Sequence, residues 1–226
     1  MRLRVAPWLV ALSVVPALGG FARLAGLAGL DGAPIDARFA ENPLPAVLHI
    51  VTATLFSVLG AFQFESGLRS AWPRWHRHAG RVLVLCGLIT AGTGVWMTLQ
   101  YTIPVPLQGS LLFWVRLAVG SAMALSLVLA VRTILAGDVQ SHQAWTLRAY
   151  ALAQGAGTQV LFLLPAQLLS GEAATGALRD VLMTAAWAAN ILVAELVIRR
   201  GARLPPCPTR TSPARRIAPP FGVSAR

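Results

Sequence analysis

The chain has 226 residues, 56% of them apolar and 12% charged, about half the charged share of an ordinary soluble domain. A formal charge of +11 would suit a nucleic-acid binder in a soluble protein. Here the basic residues cluster between apolar runs and in the carboxyl-terminal segment, a pattern that argues against nucleic acid and for orientation in a bilayer.

Crossing the hydrocarbon core takes about 20 mostly apolar residues, and six runs approach that length, at roughly 5–28, 44–64, 80–101, 110–133, 146–169 and 177–198. The expected fold is an all-α integral membrane protein, a bundle of six transmembrane helices over residues 1–200. The first run opens "MRLRVAPWLVALSVVPALGG", a basic start before an apolar core. That core is longer than the about 7 to 15 residues of a signal peptide, and no small-x-small site follows, so an uncleaved anchor is expected. His49 lies about five residues into the second run and Arg116 about six into the fourth, a shared depth of roughly 8 Å at 1.5 Å per residue. Between runs two and three, "RWHRHAG" (74–80) reads as a polar turn, and His142 likewise falls before the fifth run. Run five contains "AQGAGTQ" and run six Asn190, which read as close packing with interhelical hydrogen bonds. No run shows paired Gly and Pro breaks at mid-depth in matching halves, the usual pointer to a transport site. After Gly201 the segment is rich in proline and arginine without an apolar period, so residues 201–226 are expected as a disordered cytoplasmic tail.

Arginine placement sets the orientation. Arg2 and Arg4, then Arg69, Arg74, Arg77 and Arg81, then Arg199, Arg200 and Arg203 mark the cytoplasmic side. The alternate connections carry Asp31, Asp36 and Glu41, no charge between Tyr101 and Gly109, then Glu172 and Asp180, with Arg38 and Arg179 opposing. Both termini are therefore expected inside. Of the two cysteines, Cys86 lies in an apolar run and Cys207 in the tail, which gives neither a disulfide nor a metal spacing.

Ionisable side chains at membrane depth are costly, so each is a candidate functional group. The inner level gathers His76, His78 and Arg81, then His142, Trp145 and Arg148, and Glu195. His142, Trp145 and Arg148 are spaced to share one helix face, and Glu195 can pair with Arg148 or Arg81. The outer level has His49 and Arg116, with Arg23 and Asp180 near the same depth. A weak parallel repeat relates "WHRHAGR" to "HQAWTLR".

His49, then "GAFQF" (60–64), "HRHAGR" (76–81), "SHQAWTLRAYAL" (141–152), Asn190 and Glu195 form a spaced pattern. It resembles the bacterial membrane proteins grouped as domain-of-unknown-function family 2306, over about residues 44–200. The chain departs from the family pattern at Ala61, where proline is common, and at Gln143, where an arginine usually follows the histidine. The resemblance implies a multi-helix protein of the bacterial cytoplasmic (inner) membrane and brings no agreed activity.

Three readings stay open. One is a structural or small-ligand-binding membrane protein whose inner cluster ties helix ends together. Another is a b-type haem protein with His142 and His78 or His76 as axial ligands and Arg77, Arg81 and Arg148 near the propionates; Met97 with His49 would form a second site. The third is a proton-coupled solute transporter running from His49 and Arg116 to His142, Arg148 and Glu195. Apart from the lipid bilayer no partner is assigned, and a homo-oligomer is compatible with the sequence. No phosphate loop, nucleophile elbow, HExxH pair or cysteine metal spacing points to an enzyme.

Overall fold

The computed structural model describes residues 5–30 and 36–202, and nine α-helices run through them. Arg2, Arg4, Asp31, Cys207 and Arg203 lie outside the described residues, as does the tail expected over 201–226 except for Gly201 and Ala202, which end the last helix. The first helix, α1 (Ala6–Leu27), begins with proline in its first turn, where the missing N–H costs nothing. A short α2 (Ala37–Glu41) follows, capped by the Asp36 carboxylate accepting from the Arg38 amide. Next come α3 (Pro43–Ala61), extended by a 3-10 turn to Phe64, then α4 (Ser66–Ala71) and α5 (Pro73–Gln100). The remaining helices are α6 (Ser110–Leu135), α7 (Val139–Ala153), α8 (Gly155–Ser170) and α9 (Gly176–Ala202).

Five of these helices, with α3 counted through Phe64, are long and apolar enough to cross a bilayer, and α7 with α8 passes the same test as a pair bent by 40°. The described residues form an all-α bundle of five spans, or six with the bent pair. Large apolar side chains cover its outside: Leu85, Leu168 and Leu169 are exposed, as lipid-facing residues are.

Two boundaries differ from the sequence expectation. Pro73 starts α5 well before the apolar run, so His76 and His78 sit inside a helix, and His142 likewise lies on α7. Hydropathy marks the part of a helix that meets lipid; the caps mark where the helix begins. The fifth span is also broken, contrary to the reading of unbroken spans. Gly155 and Gly157 let two neighbours come so close that a Cβ on either would overlap them: the Trp187 indole at Gly155 and the Leu12 carbonyl oxygen at Gly157. Pro16 lacks the N–H that would otherwise occupy that Leu12 carbonyl, so the contact falls where α1 has a spare acceptor. Carbonyls loosened at the break are taken up from α9. The Trp187 indole donates to Leu152 (3.2 Å) and the Asn190 amide to Ala151 (3.0 Å).

The break decides the architecture. In order round the bundle, α1, α3, α5, α6, α9 and α8 each pack on the next, and α8 closes the ring on α1. Helix α7 fills the middle, against α3, α6 and α9. The buried core gathers round it: Tyr150 and Ala149 of α7 cluster with Phe56, Leu83, Cys86, Met123 and Leu127. At Gln154 the chain leaves the centre and α8 joins the wall between α1 and α9. Beyond that point no helix among the described residues occupies the axis.

Candidate functional site

The unfilled volume is a chamber of about 610 Å³, the size of one small-molecule ligand. Along α1 it is lined from Ser13 to Arg23, which at 1.5 Å per residue is about 15 Å of depth. Its floor is the break itself, with Leu152, Ala153, Gln154 and Trp187, and its walls carry Ile50, Ala53, Met97 and Met123.

Gln154 is buried and seals the floor. Its Nε2 donates to the Tyr150 hydroxyl (2.6 Å) and to Ser13 Oγ (3.2 Å), while Tyr150 donates to the Ser57 carbonyl (2.6 Å). One glutamine thus links α1, α3 and α7. His49 borders the chamber with Nδ1 3.0 Å from the Thr90 carbonyl and 3.1 Å from Thr93 Oγ1. A carbonyl only accepts, so Nδ1 carries the proton and Nε2 is the nitrogen left for another partner.

The mouth is lined by four arginines from four helices: Arg23, Arg38, Arg116 and Arg179. Arg116 donates through Nη1 to the Gln108 side-chain oxygen, and Arg179 through Nε to the Leu107 carbonyl (3.3 Å). Arg23 and Arg38 both lie over the Phe39 ring, 4.3 and 4.7 Å from its centre, and Arg38 meets Asp36 at 2.8 Å. Asp180 is buried, and its two oxygens accept from the Gly109 and Leu112 amides (3.1 Å each), capping the start of α6 from α9. His49 and Arg116, expected at one level, thus line one chamber. Arg23 joins them there, while Asp180 serves a helix end.

The opposite end of the bundle holds the second cluster. Arg148 makes a two-pronged contact with Glu195, Nε to Oε1 at 2.6 Å and Nη2 to Oε2 at 3.0 Å, and lies 4.5 Å over the Trp145 ring. Arg81 is exposed and has no part in it. His142 Nδ1 is bonded to the Ala130 carbonyl (2.8 Å), pinning α7 to α6. His76 and His78 are two apart on α5, about 200° round the helix, so they face opposite ways; His76 is half-buried and His78 exposed. Only one of them can turn toward the bundle. His76 Nδ1 and Gln63 Nε2 are both buried without a partner. Among the described residues no three His, Cys, Asp or Glu side chains converge to hold a metal ion.

The sequence marks Gln154, within "AQGAGTQ", as an amide for interhelical hydrogen bonding, which its bonds to Ser13 are, but does not place it at a helix break. Tyr150 and Phe39 are not singled out there as site residues, and Arg38 and Arg179 read only as topology charges. "AQGAGTQ" carried the signal for the break, since a buried amide beside paired small residues fits a helix break as well as close packing.

A bundle of apolar helices with an internal chamber is an integral membrane protein. The chain belongs to the family described as predicted membrane protein (DUF2306), which it matches over residues 46–198. That span runs from the first turns of α3 to near the end of α9, so Ser13, Arg23 and Arg38 lie outside it. No curated protein and no solved structure is significantly similar to the chain.

Proposed function

We propose that this protein is a small-ligand-binding protein of the bacterial cytoplasmic membrane, with the chamber facing outward and the Arg148 cluster serving structure. The observation that carries the reading is the departure of the chain from the bundle axis at Gln154, which leaves a ligand-sized space bordered by His49 and Arg116. At the other end Arg148, Glu195 and Trp145 satisfy one another, which among the described residues leaves His76 Nδ1 and Gln63 Nε2 as its buried groups without a partner, and neither borders the chamber. Outward placement of the chamber is supported by Arg69, Arg74, Arg77 and Arg81 gathering at the far end, on or beside α4 and the start of α5.

A ligand that binds only the folded state raises stability by mass action, about 2.7 kcal/mol at one hundred times its dissociation constant. The test is therefore thermal unfolding of detergent-purified protein against a panel of anionic, neutral and cationic small molecules, with Ala53→Trp as the filled-chamber control. At least one class is expected to raise the Tm of the parent and leave the variant unmoved. A panel that moves neither protein rejects the reading.

Solute passage is the second reading, and the broken span favours it, because discontinuous helices line transport sites. It requires the Tyr150–Gln154–Ser13 seal to open. Uptake into protein-loaded liposomes that is unchanged by Gln154→Leu would reject it.

A further inference from the structure

Resting on the reading of the chamber as a ligand site, we infer that its ligand is a single-tailed amphiphilic anion, a carboxylate or phosphate head on an apolar body. The charge at the mouth is unbalanced. Four arginines line it, and the acidic side chains bonded there among the described residues are two, Asp36 and Asp180. Asp36 is taken by Arg38, and both Asp180 oxygens are occupied by backbone amides. Arg116 and Arg179 have only neutral oxygens as hydrogen-bond partners, Gln108 and the Leu107 carbonyl. Asp180 lies near enough to Arg116 to offset part of its charge, but four guanidinium groups against two carboxylates leave the mouth net positive. The planar forks of half-buried Arg116 and Arg179 fit a carboxylate or phosphate head.

Deeper in, the chemistry changes. Ile50, Ala53 and Met123 line the walls below the mouth, interspersed with the polar Ser13, Thr54, Thr90 and Gln154, over the about 15 Å between Arg23 and Ser13, while Met97 stands nearer the mouth in the last turn of α5. Methionines adapt to flexible apolar chains of varied shape. An ion alone would leave this length unfilled, and a neutral apolar molecule would leave the arginines uncompensated. A volume of about 610 Å³ suits one tail of medium length.

The probes are decanoate, decanol, decyltrimethylammonium, inorganic phosphate and phosphatidylglycerol, each titrated into the detergent-purified full chain and read by thermal shift and native mass spectrometry. Decanoate is expected to bind at least about tenfold more tightly than decanol, with the cationic probe inert and added salt weakening the preference. Arg116→Gln and, separately, Arg179→Gln should each reduce decanoate affinity about tenfold while leaving decanol unchanged. Having both variants guards against one that fails to fold. Equal binding of decanol and decanoate overturns the anionic head and leaves the ligand chamber standing. Phosphate binding as tightly as decanoate overturns the tail. Phosphatidylglycerol binding without decanoate overturns the single-tailed class in favour of a bilayer lipid. Binding by none of the probes overturns the inference, and the chamber reading falls with it if the broader panel also gives no shift.

Discussion

Tyr150 lies against Gly60 so closely that a Cβ built on the glycine would stand 2.7 Å from the ring's Cε2. The ring is also wedged by Phe64 and Phe56, with centroids 4.9 and 5.9 Å away, so it has nowhere to retreat. Gly60→Ala is therefore expected to lower stability by about 1–3 kcal/mol through overpacking. Equilibrium unfolding in mixed micelles measures it, and an unchanged midpoint would contradict the tight contact. Tyr150→Phe keeps the packing and removes the hydroxyl that Gln154 and the Ser57 carbonyl share, for a loss of about 1 kcal/mol.

The Arg148–Glu195 contact depends on fork geometry as well as charge, and its side chains are only 25% and 29% exposed. Arg148→Lys retains the charge but loses the second prong, so it should cost about 1–3 kcal/mol, as should Glu195→Gln. The double variant should lose less than the sum of the two. Strict additivity in that cycle would show that the pair is not coupled.

At the break, Gly155→Ala drives a methyl into the Trp187 indole, and the expected result is a large loss of folded protein. Trp187→Ala removes the obstacle. If the close approach is the reason for the glycine, Gly155→Ala should be markedly milder in the Trp187→Ala background. Fluorescence-detected size exclusion of the four proteins decides it, and equal damage in both backgrounds would refute the steric account.

Asp138 caps α7 by accepting from the Ser141 amide at 2.9 Å, and hydrogen bonds from Ser141 hold its carboxyl below the ordinary aspartate range. The sign follows from the lowered value. The stabilisation is complete above the unfolded-state range and is lost as the pH falls through the folded-state value. Protection of the amides in the first turn of α7, taken relative to the intrinsic exchange rate at each pH, should therefore fall on acidification in the parent and stay constant in Asp138→Asn, which keeps an acceptor but does not titrate there. Equal acid sensitivity in both would disprove it.

The membrane character and the number of apolar runs could be read from composition and length alone, because the lipid phase imposes a fixed span on any helix that crosses it. Where helices begin and bend was less readable. Pro73 starts α5 in a stretch too polar to register as a span, and the bend at Gln154 depends on Trp187 and Asn190, more than thirty residues further on. The site divided in the same way. His49 and Arg116 stood out as costly residues at matching depth. The convergence of Arg23, Arg38 and Arg179 with them is a product of the ring closing, which no local spacing encodes.

The two carbonyls at the break, of Ala151 and Leu152, find their donors on α9, a helix made later in synthesis. While α9 is still in the ribosome those oxygens would lack their side-chain donors, with the Leu152 carbonyl left only the Gln154 amide, and an unsatisfied carbonyl in hydrocarbon costs several kcal/mol. The fifth segment is thus a poor solitary passenger for the insertion machinery. It should enter the bilayer together with the sixth, as a hairpin, which makes the order of biogenesis a consequence of one kink.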